Sequence, residues 1–320
     1  MSFCTRTIAA LLFTSLALPT AASAAAPWPD RAIRVIVPWA PGGSTDIVGR
    51  ILSAELPKQL KQQVIIDNRA GGGSIIGMQL TAAAPPDGYT FMLTSTGYAH
   101  LIQKANVDLV ASLDPVAMVG TADSALVVHP ALPVTSVKEL IALARKKPGQ
   151  LLYSSSGIGG FPHMNTELFK LKAGIDLVHV PFKGAGPAIA DTVAGNTQIH
   201  LGSVPTEISF IRAGKLKVIA VGGKKPNPAL PGVPLISATV PGYETYIWYG
   251  FFAPKGTSAA VISRMHDAIN AATDSRDVVK KLDAQGVAVE KMSSAEFGKL
   301  MKAETDKWLE VIKAAGIKGE

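Results

Sequence analysis

Short β-branched runs alternate along the chain with segments whose apolar residues recur at helical spacing. Ile33–Val37 predicts a strand that ends at Pro38, and Thr45–Leu60 predicts the helix that follows. Val64–Ile66 and Thr90–Thr94 predict two more strands, with a helix over Gly77–Ala84 stopped by Pro85 and Pro86. The rhythm then returns. Ala125–His129 is extended, and Ser136–Lys147 reads as a helix opened by a capping box of Ser136 and Glu139. Strands at Leu151–Tyr153, Leu177–Val180, Ile199–Gly202 and Val218–Val221 surround helices at His163–Leu171 and Ala188–Ala194. Gly250–Ala253 is a last strand before a mostly helical tail over Ser258–Thr273, Asp277–Gln285 and Ser294–Ala315. Strands alternating with helices predict parallel βαβ units and an α/β fold.

A chain of 320 residues is long for one compact layer set and predicts two lobes. The extended segments near Ala125–His129 and Gly250–Ala253 are candidate crossovers. They divide the chain into a discontinuous first lobe, residues 25–126 and 249–320, and a second lobe, residues 127–248. On this reading the C-terminal helices close the first lobe.

Residues 1–24 stand apart. Arg6 precedes an uncharged apolar run, Ile8–Leu18; Pro19 breaks it, and Ala22-Ser23-Ala24 provides small residues for cleavage. This is the pattern of a cleavable secretory signal peptide, too short to span a ~30 Å hydrocarbon layer. It predicts export to the periplasm. Cys4, the only cysteine, leaves with the signal, so the mature chain forms no disulfide and carries out no thiol chemistry.

Four segments leave a strand and enter a helix with residues suited to anions. The first contains Trp39, Gly42, Gly43, Ser44, Thr45 and Asp46. Glycines let the backbone approach a ligand closely, and the unpaired N–H groups of the helix start favour a carboxylate or phosphate. The same loop also suits a plain turn capped by Asp46 or Ser44. The second, Ser95-Thr96-Gly97-Tyr98-Ala99-His100, reads as an anion loop or as a polar turn. The third runs from Ser154 to His163 and offers Ser156, Gly159, Gly160, Phe161 and His163. The fourth contains Lys183, Gly184, Ala185 and Gly186, with Pro187 fitting a first helical turn. Two such loops fall in each expected lobe, which predicts a cleft able to grip one ligand from both sides.

Charge agrees with an anionic ligand. The formal net charge is +7, or +6 once Arg6 is removed with the signal. Lysines and arginines are not clustered with aromatics, so nucleic acid is not an expected partner. Gly71-Gly72-Gly73-Ser74-Ile75-Ile76-Gly77 misses the dinucleotide fingerprint by one residue and reads as a turn feeding a helix. No nucleophile elbow, phosphate-binding P-loop or metal-ligand spacing occurs, so the sequence implies no cofactor, no metal and no catalysis. His163, His179 and His200 read as structural or hydrogen-bonding groups, with His163 bordering the third loop.

The chain resembles the Bug family, the TctC-like substrate-binding proteins of tripartite tricarboxylate transporters. The likeness rests on Trp28-Pro29-Asp30-Arg31 ahead of Ile33–Val37, on Pro41-Gly42-Gly43-Ser44-Thr45-Asp46, and on Asp67-Asn68-Arg69-Ala70-Gly71. It continues through Pro86-Asp87-Gly88-Tyr89-Thr90, Ser136-Val137-Lys138-Glu139-Leu140 and His179-Val180-Pro181-Phe182-Lys183-Gly184. It ends with Ala213-Gly214-Lys215-Leu216, Leu230-Pro231-Gly232-Val233-Pro234 and Gly250-Phe251-Phe252-Ala253-Pro254, and so spans essentially the whole mature chain.

The resemblance implies a two-lobed Venus-flytrap fold of the type II-like periplasmic binding proteins. It implies a small carboxylate held by the Pro-Gly-Gly loop of the first lobe, with Ser156–His163 and Lys183–Gly186 closing over it. The partner it implies is a pair of membrane transporter subunits of the TctA/TctB kind, or alternatively a sensor kinase; a periplasmic hydrolase is a third reading that the missing catalytic groups oppose. A monomer is expected. Two departures stand out. The stretch between His100 and Pro115 is shorter than the family pattern, and Ser203 stands where the family commonly carries an acidic residue. Ser203 favours a plain carboxylate over an amino-acid-like ligand. Trp39, Tyr98 and Phe161 lie in three of the loops and are candidates for stacking on an aromatic acid, or for wall and core residues.

Overall fold

The computed structural model describes residues 28–103 and 105–318, so the predicted signal peptide lies outside the described residues. In chain order the elements are β1 (Ile33–Val37), α1 (Ser44–Leu60), β2 (Val64–Asn68), α2 (Ile75–Ala82), β3 (Thr90–Ser95), α3 (Ala99–Ile102) and α4 (Leu109–Ser112). There follow β4 (Leu113–Val128), α5 (Val137–Lys146), β5 (Leu152–Ser155), α6 (Phe161–Ala173), β6 (Val178–Pro181), α7 (Ala185–Val193), β7 (Ile199–Ser203), α8 (Val204–Arg212) and β8 (Lys217–Val221). The chain closes with β9 (Tyr246–Pro254), α9 (Ala259–Asp274), α10 (Arg276–Ala284), β10 (Val287–Val289) and α11 (Ser294–Ala314).

The strands form one curled mixed sheet in the order β2-β1-β3-β9-β4-β7-β5-β6, with β8 and β10 also paired to β4. Parallel pairs occur at both ends, β1 with β2 and β3, and β5 with β6 and β7. In the middle, antiparallel β4 and β9 run side by side from Leu113↔Pro254 to Asp123↔Tyr246. From Ser124 onward β4 changes partners and pairs with β7 and β8. This handover joins two α/β lobes.

Each lobe has its own apolar core. In the first, α1 buries Val48, Leu52, Leu56 and Leu60, a four-residue spacing that lays one stripe against Val35, Phe91 and Phe251 of the sheet. In the second, α5 buries Val137, Leu140, Ile141 and Ala144 near Leu126, Tyr153, Phe169 and Leu201. In α11, Phe297 and Met301 pack with Trp248 and Phe252, while Trp308 joins the second core and stacks on Tyr98 at 5.6 Å. The helix therefore packs on elements of the first lobe and reaches the second core as well.

Two local expectations need correction. Ser136 caps α5 by accepting from the Glu139 N–H, but the Glu139 carboxylate accepts from the Thr135 N–H at 2.6 Å, so the reciprocal bond of a capping box is missing. A full box occurs at Ser293 and Glu296, ahead of α11. The sequence reading has no element between the strands Ile199–Gly202 and Val218–Val221, yet α8 stands there; Pro205 sits in its first turn, where its missing N–H leaves no bond unmade. Among the described residues no helix is long and apolar enough to cross a membrane.

Candidate functional site

Four helices begin around one small space between the lobes. Gly43 caps α1, Gly160 caps α6, Gly184 caps α7 and Ser203 caps α8. The space is narrow and partly open to solvent. From the first lobe, Trp39, Gly43, Ser44 and Thr45 line it, with Ser95 and Thr96 beyond β3. From the second come Ser156, Phe161 and Pro162, then Ala185 and Ser203. Ile247 of β9 completes the lining, and no lining side chain carries a charge. The convergent N-terminal dipoles therefore set the potential of the cavity, which favours an anion.

Hydrogen bonds hold this lining in place. The Thr45 hydroxyl donates to Ser95 Oγ at 2.8 Å, and Thr96 Oγ1 accepts the Trp248 N–H at 3.2 Å. The Ser44 N–H donates to Thr206 Oγ1 of α8 at 3.1 Å, a bond from one lobe to the other. Thr206 Oγ1 also lies 3.1 Å from Ser203 Oγ. The Trp39 indole N–H is buried without a partner.

Other predicted residues serve the loops instead of the cavity. Asp46 neither caps α1 nor faces the space. Its carboxylate accepts from the Gly42 N–H at 3.0 Å and from the Arg50 and Asn68 side chains, and Asn68 also donates to the Trp39 carbonyl. Burial would raise the Asp46 pKa, but Arg50, Gly42 and Asn68 together bring it below its usual value. Asp46 is thus a charged peg that fixes the turn around Gly42, whose φ is +82°.

Glycines predicted to meet a ligand meet the opposite lobe. A Cβ on Gly184 would crowd the Ala40 backbone, and one on Gly186 would overlap the Pro41 carbonyl oxygen. A Cβ on Gly159 would overlap Ala99, and the Gly159 carbonyl accepts the Tyr98 N–H at 2.8 Å. Gly160 bridges to Gly97. At these positions the facing loop approaches the backbone closely. Tyr98, a candidate for stacking on a ligand, is buried against Trp308 instead.

His163 also stands behind the site. Its Nδ1 accepts the Gly159 N–H at 3.2 Å, and its ring lies 4.3 Å from His179, which in turn stacks on Tyr153 at 4.9 Å. Burial pushes His163 down to about 4 and His179 to about 3, so both are neutral near pH 7. Of the three successive serines only Ser156 lines the cavity. Ser155 pairs with His179, and Ser154 pairs with Thr192 and with His200, itself brought down to about 4 by burial. Lys183 is exposed and lines an outer groove with Gly71–Gly73, on the far side of Trp39.

Ile247 and Thr206 were missed by sequence reasoning. Pro162 lies within the third loop, Ser154 to His163, but was not singled out there. Ile247 and Thr206 gave no local signal. Among the described residues no group of three or more His, Cys, Asp or Glu side chains is placed to hold a metal.

Comparisons with known proteins bear on this geometry. The family model described as "Tripartite tricarboxylate transporter family receptor", TctC, matches residues 48–317. Protein BugT of Bordetella pertussis is 32% identical over 98% of both chains. Among solved structures, an R. palustris protein with adipate superposes with a TM-score of 0.88 at 33% identity, covering 91% of this chain and 99% of that one. MatC from Rhodopseudomonas palustris, with bound malate, gives a TM-score of 0.85 at 28% identity, covering 89% of this chain and 100% of that one.

Proposed function

Because the chain belongs to the TctC family of tripartite tricarboxylate transporter receptors, known also through its Bug members, we propose that it captures a small aliphatic dicarboxylate between its lobes and hands it to a membrane transporter. The observation that carries this reading is the uncharged cavity on which the starts of α1, α6, α7 and α8 converge. A dianion in such a space is stabilised by helix dipoles and neutral donors, and no counter-charge has to be desolvated. The adipate and malate of two related structures are of that class.

Capture works by closure. We assign the lobes to residues 25–126 with 249–320 and to residues 127–248, close to where β4 changes partners at Ser124. Ser44 and Thr45 receive the acid on the first lobe; Ser156, Ala185 and Ser203 arrive with the second. The lobe-to-lobe contacts of Gly159, Gly184 and Gly186 form in the same movement, and the joined surface is what a membrane partner reads. No bond is made or broken in the ligand. The N-terminal signal pattern places this activity in the periplasm, with the mature chain a monomer.

A thermal-melting screen of the purified mature chain tests the proposal, using aliphatic mono-, di- and tricarboxylates, benzoates and amino acids. At 100 times its dissociation constant a ligand of the folded state adds about 2.7 kcal/mol. Dicarboxylates of malate-to-adipate length should raise the melting point most. A larger rise with benzoates or amino acids would overturn the assignment.

A further inference from the structure

The strand β9 turns one face toward the cavity. Ile247 lines it, and Tyr249, two residues on, shares that face because side chains alternate along a strand. The register agrees. Tyr249 lies opposite Ser95 of antiparallel β3, and Ser95 also lines the cavity; residues paired in this way project to the same side of the sheet. The Tyr249 ring packs in the cluster that contains Trp39, Phe161 and Ile247 and is fully buried.

Its hydroxyl has no hydrogen-bond partner. The hydroxyls of Ser44 and Ser203 stand beside it, close enough to offset part of the rise that burial causes in the phenol pKa, yet neither completes a hydrogen bond. Both serines line the cavity, one at the start of α1 and one at the start of α8. Native proteins seldom leave a buried hydroxyl unpaired without a role for it. Burial keeps this phenol protonated, so it is a proton donor aimed between two helix starts.

We propose that Tyr249 is a ligand-binding and specificity-determining residue, whose O–H donates to a carboxylate oxygen of the acid seated between Ser44 and Ser203. The inference rests on the carboxylate reading above and sharpens it. A carboxylate or hydroxyl oxygen accepts this proton. An ammonium group has no lone pair for this proton and meets only the neutral phenol oxygen, without the charge-assisted O–H···O⁻ bond that a carboxylate makes. Tyr249 and Ser203 together thus select acids without an amino group at that end.

The test is a calorimetric titration of malate, adipate and L-aspartate into the wild-type chain and into Tyr249→Phe, with unliganded melting of both proteins. The wild type should bind malate or adipate in preference to aspartate. The variant should bind that acid about tenfold or more weakly, the size of one lost charge-assisted bond. Its unliganded form should melt no lower than the wild type, because the substitution removes a hydroxyl that has no partner. Equal affinity in the two proteins overturns the inference and leaves the carboxylate reading standing. A lower unliganded melting point marks a structural role and also overturns it. Failure of the wild type to bind either acid overturns both readings.

Discussion

The backbone N–H of Ser44, the first residue of α1, donates to Thr206 Oγ1 of α8 at 3.1 Å, so one lobe's helix start is tied to the other lobe's helix. Thr206 Oγ1 lies 3.1 Å from Ser203 Oγ as well, so the bond from Ser44 joins a hydroxyl pair at the start of α8. Thr206→Val keeps the shape but removes the acceptor. A buried N–H left unpaired costs about 1–3 kcal/mol. Because that penalty falls on the closed form alone, dicarboxylate affinity should drop about tenfold with unliganded stability little changed. Calorimetry with adipate checks the first part and urea unfolding the second.

Gly186 offers a cleaner test of closure. It lies within α7 with an ordinary helical φ, so alanine suits its backbone, yet an added Cβ would overlap the Pro41 carbonyl of the facing loop. Gly186→Ala should leave the unliganded melting point unchanged or slightly raised while weakening adipate binding at least tenfold. X-ray scattering should report a larger radius of gyration for the variant in saturating ligand than for the wild type. Unchanged binding would mean that this contact forms no part of the ligand-bound state.

Stability should depend on pH through the buried histidines. His163, His179 and His200 have folded-state values of about 4, 3 and 4, well below the 6.5 of a free imidazole, with burial the main cause in each. A base whose pKa is depressed by folding binds its proton more readily when unfolded. The stability it contributes is therefore complete above pH 6.5 and is lost as pH falls toward 4. Glu207 acts in the other direction, since burial raises its carboxyl and the folded state retains that proton to higher pH. Burial lowers His100 as well and raises Asp123 alongside Glu207, while Asp46 and Asp67, lowered against the rise from burial by hydrogen bonds and neighbouring arginines, act with the histidines; urea midpoints should fall from pH 7 to pH 4. His179→Phe keeps a ring against Tyr153 and should flatten that fall; an equally steep profile would exclude His179 as a contributor.

What the sequence revealed and what it hid follow a physical division. Wherever one loop carries its own signal, the reading reached the site. Gly43, Ser44 and Thr45 before an amphipathic helix, and Ser156 and Phe161 in a glycine-rich turn, all line the cavity. The glycines of the first loop were read as letting a ligand approach, but a single chain segment does not say what approaches a loop, and Gly159 and Gly186 meet the other lobe. Asp46 and His163 were read as site groups because they adjoin the loops, and their partners Arg50, Asn68 and His179 decided otherwise. Tyr249 and Ile247 were hidden for a different reason. The place of Ile247 at the cavity, and the one proposed for Tyr249, depend on the register of β9 against β3, a long-range pairing with no local mark. The segment of α8 was given no element from sequence, and Thr206 was missed with it.

The measurement that goes most directly to the central claim is a paired titration of adipate and its diamide, adipamide, into the purified mature chain. The two molecules are alike in length and shape and differ in charge. An uncharged cavity ringed by helix N-termini should bind adipate and reject adipamide by a factor of about a hundred or more, since the dipoles act on charge. Equal binding of the two would mean that shape alone fills the site, and would contradict the account.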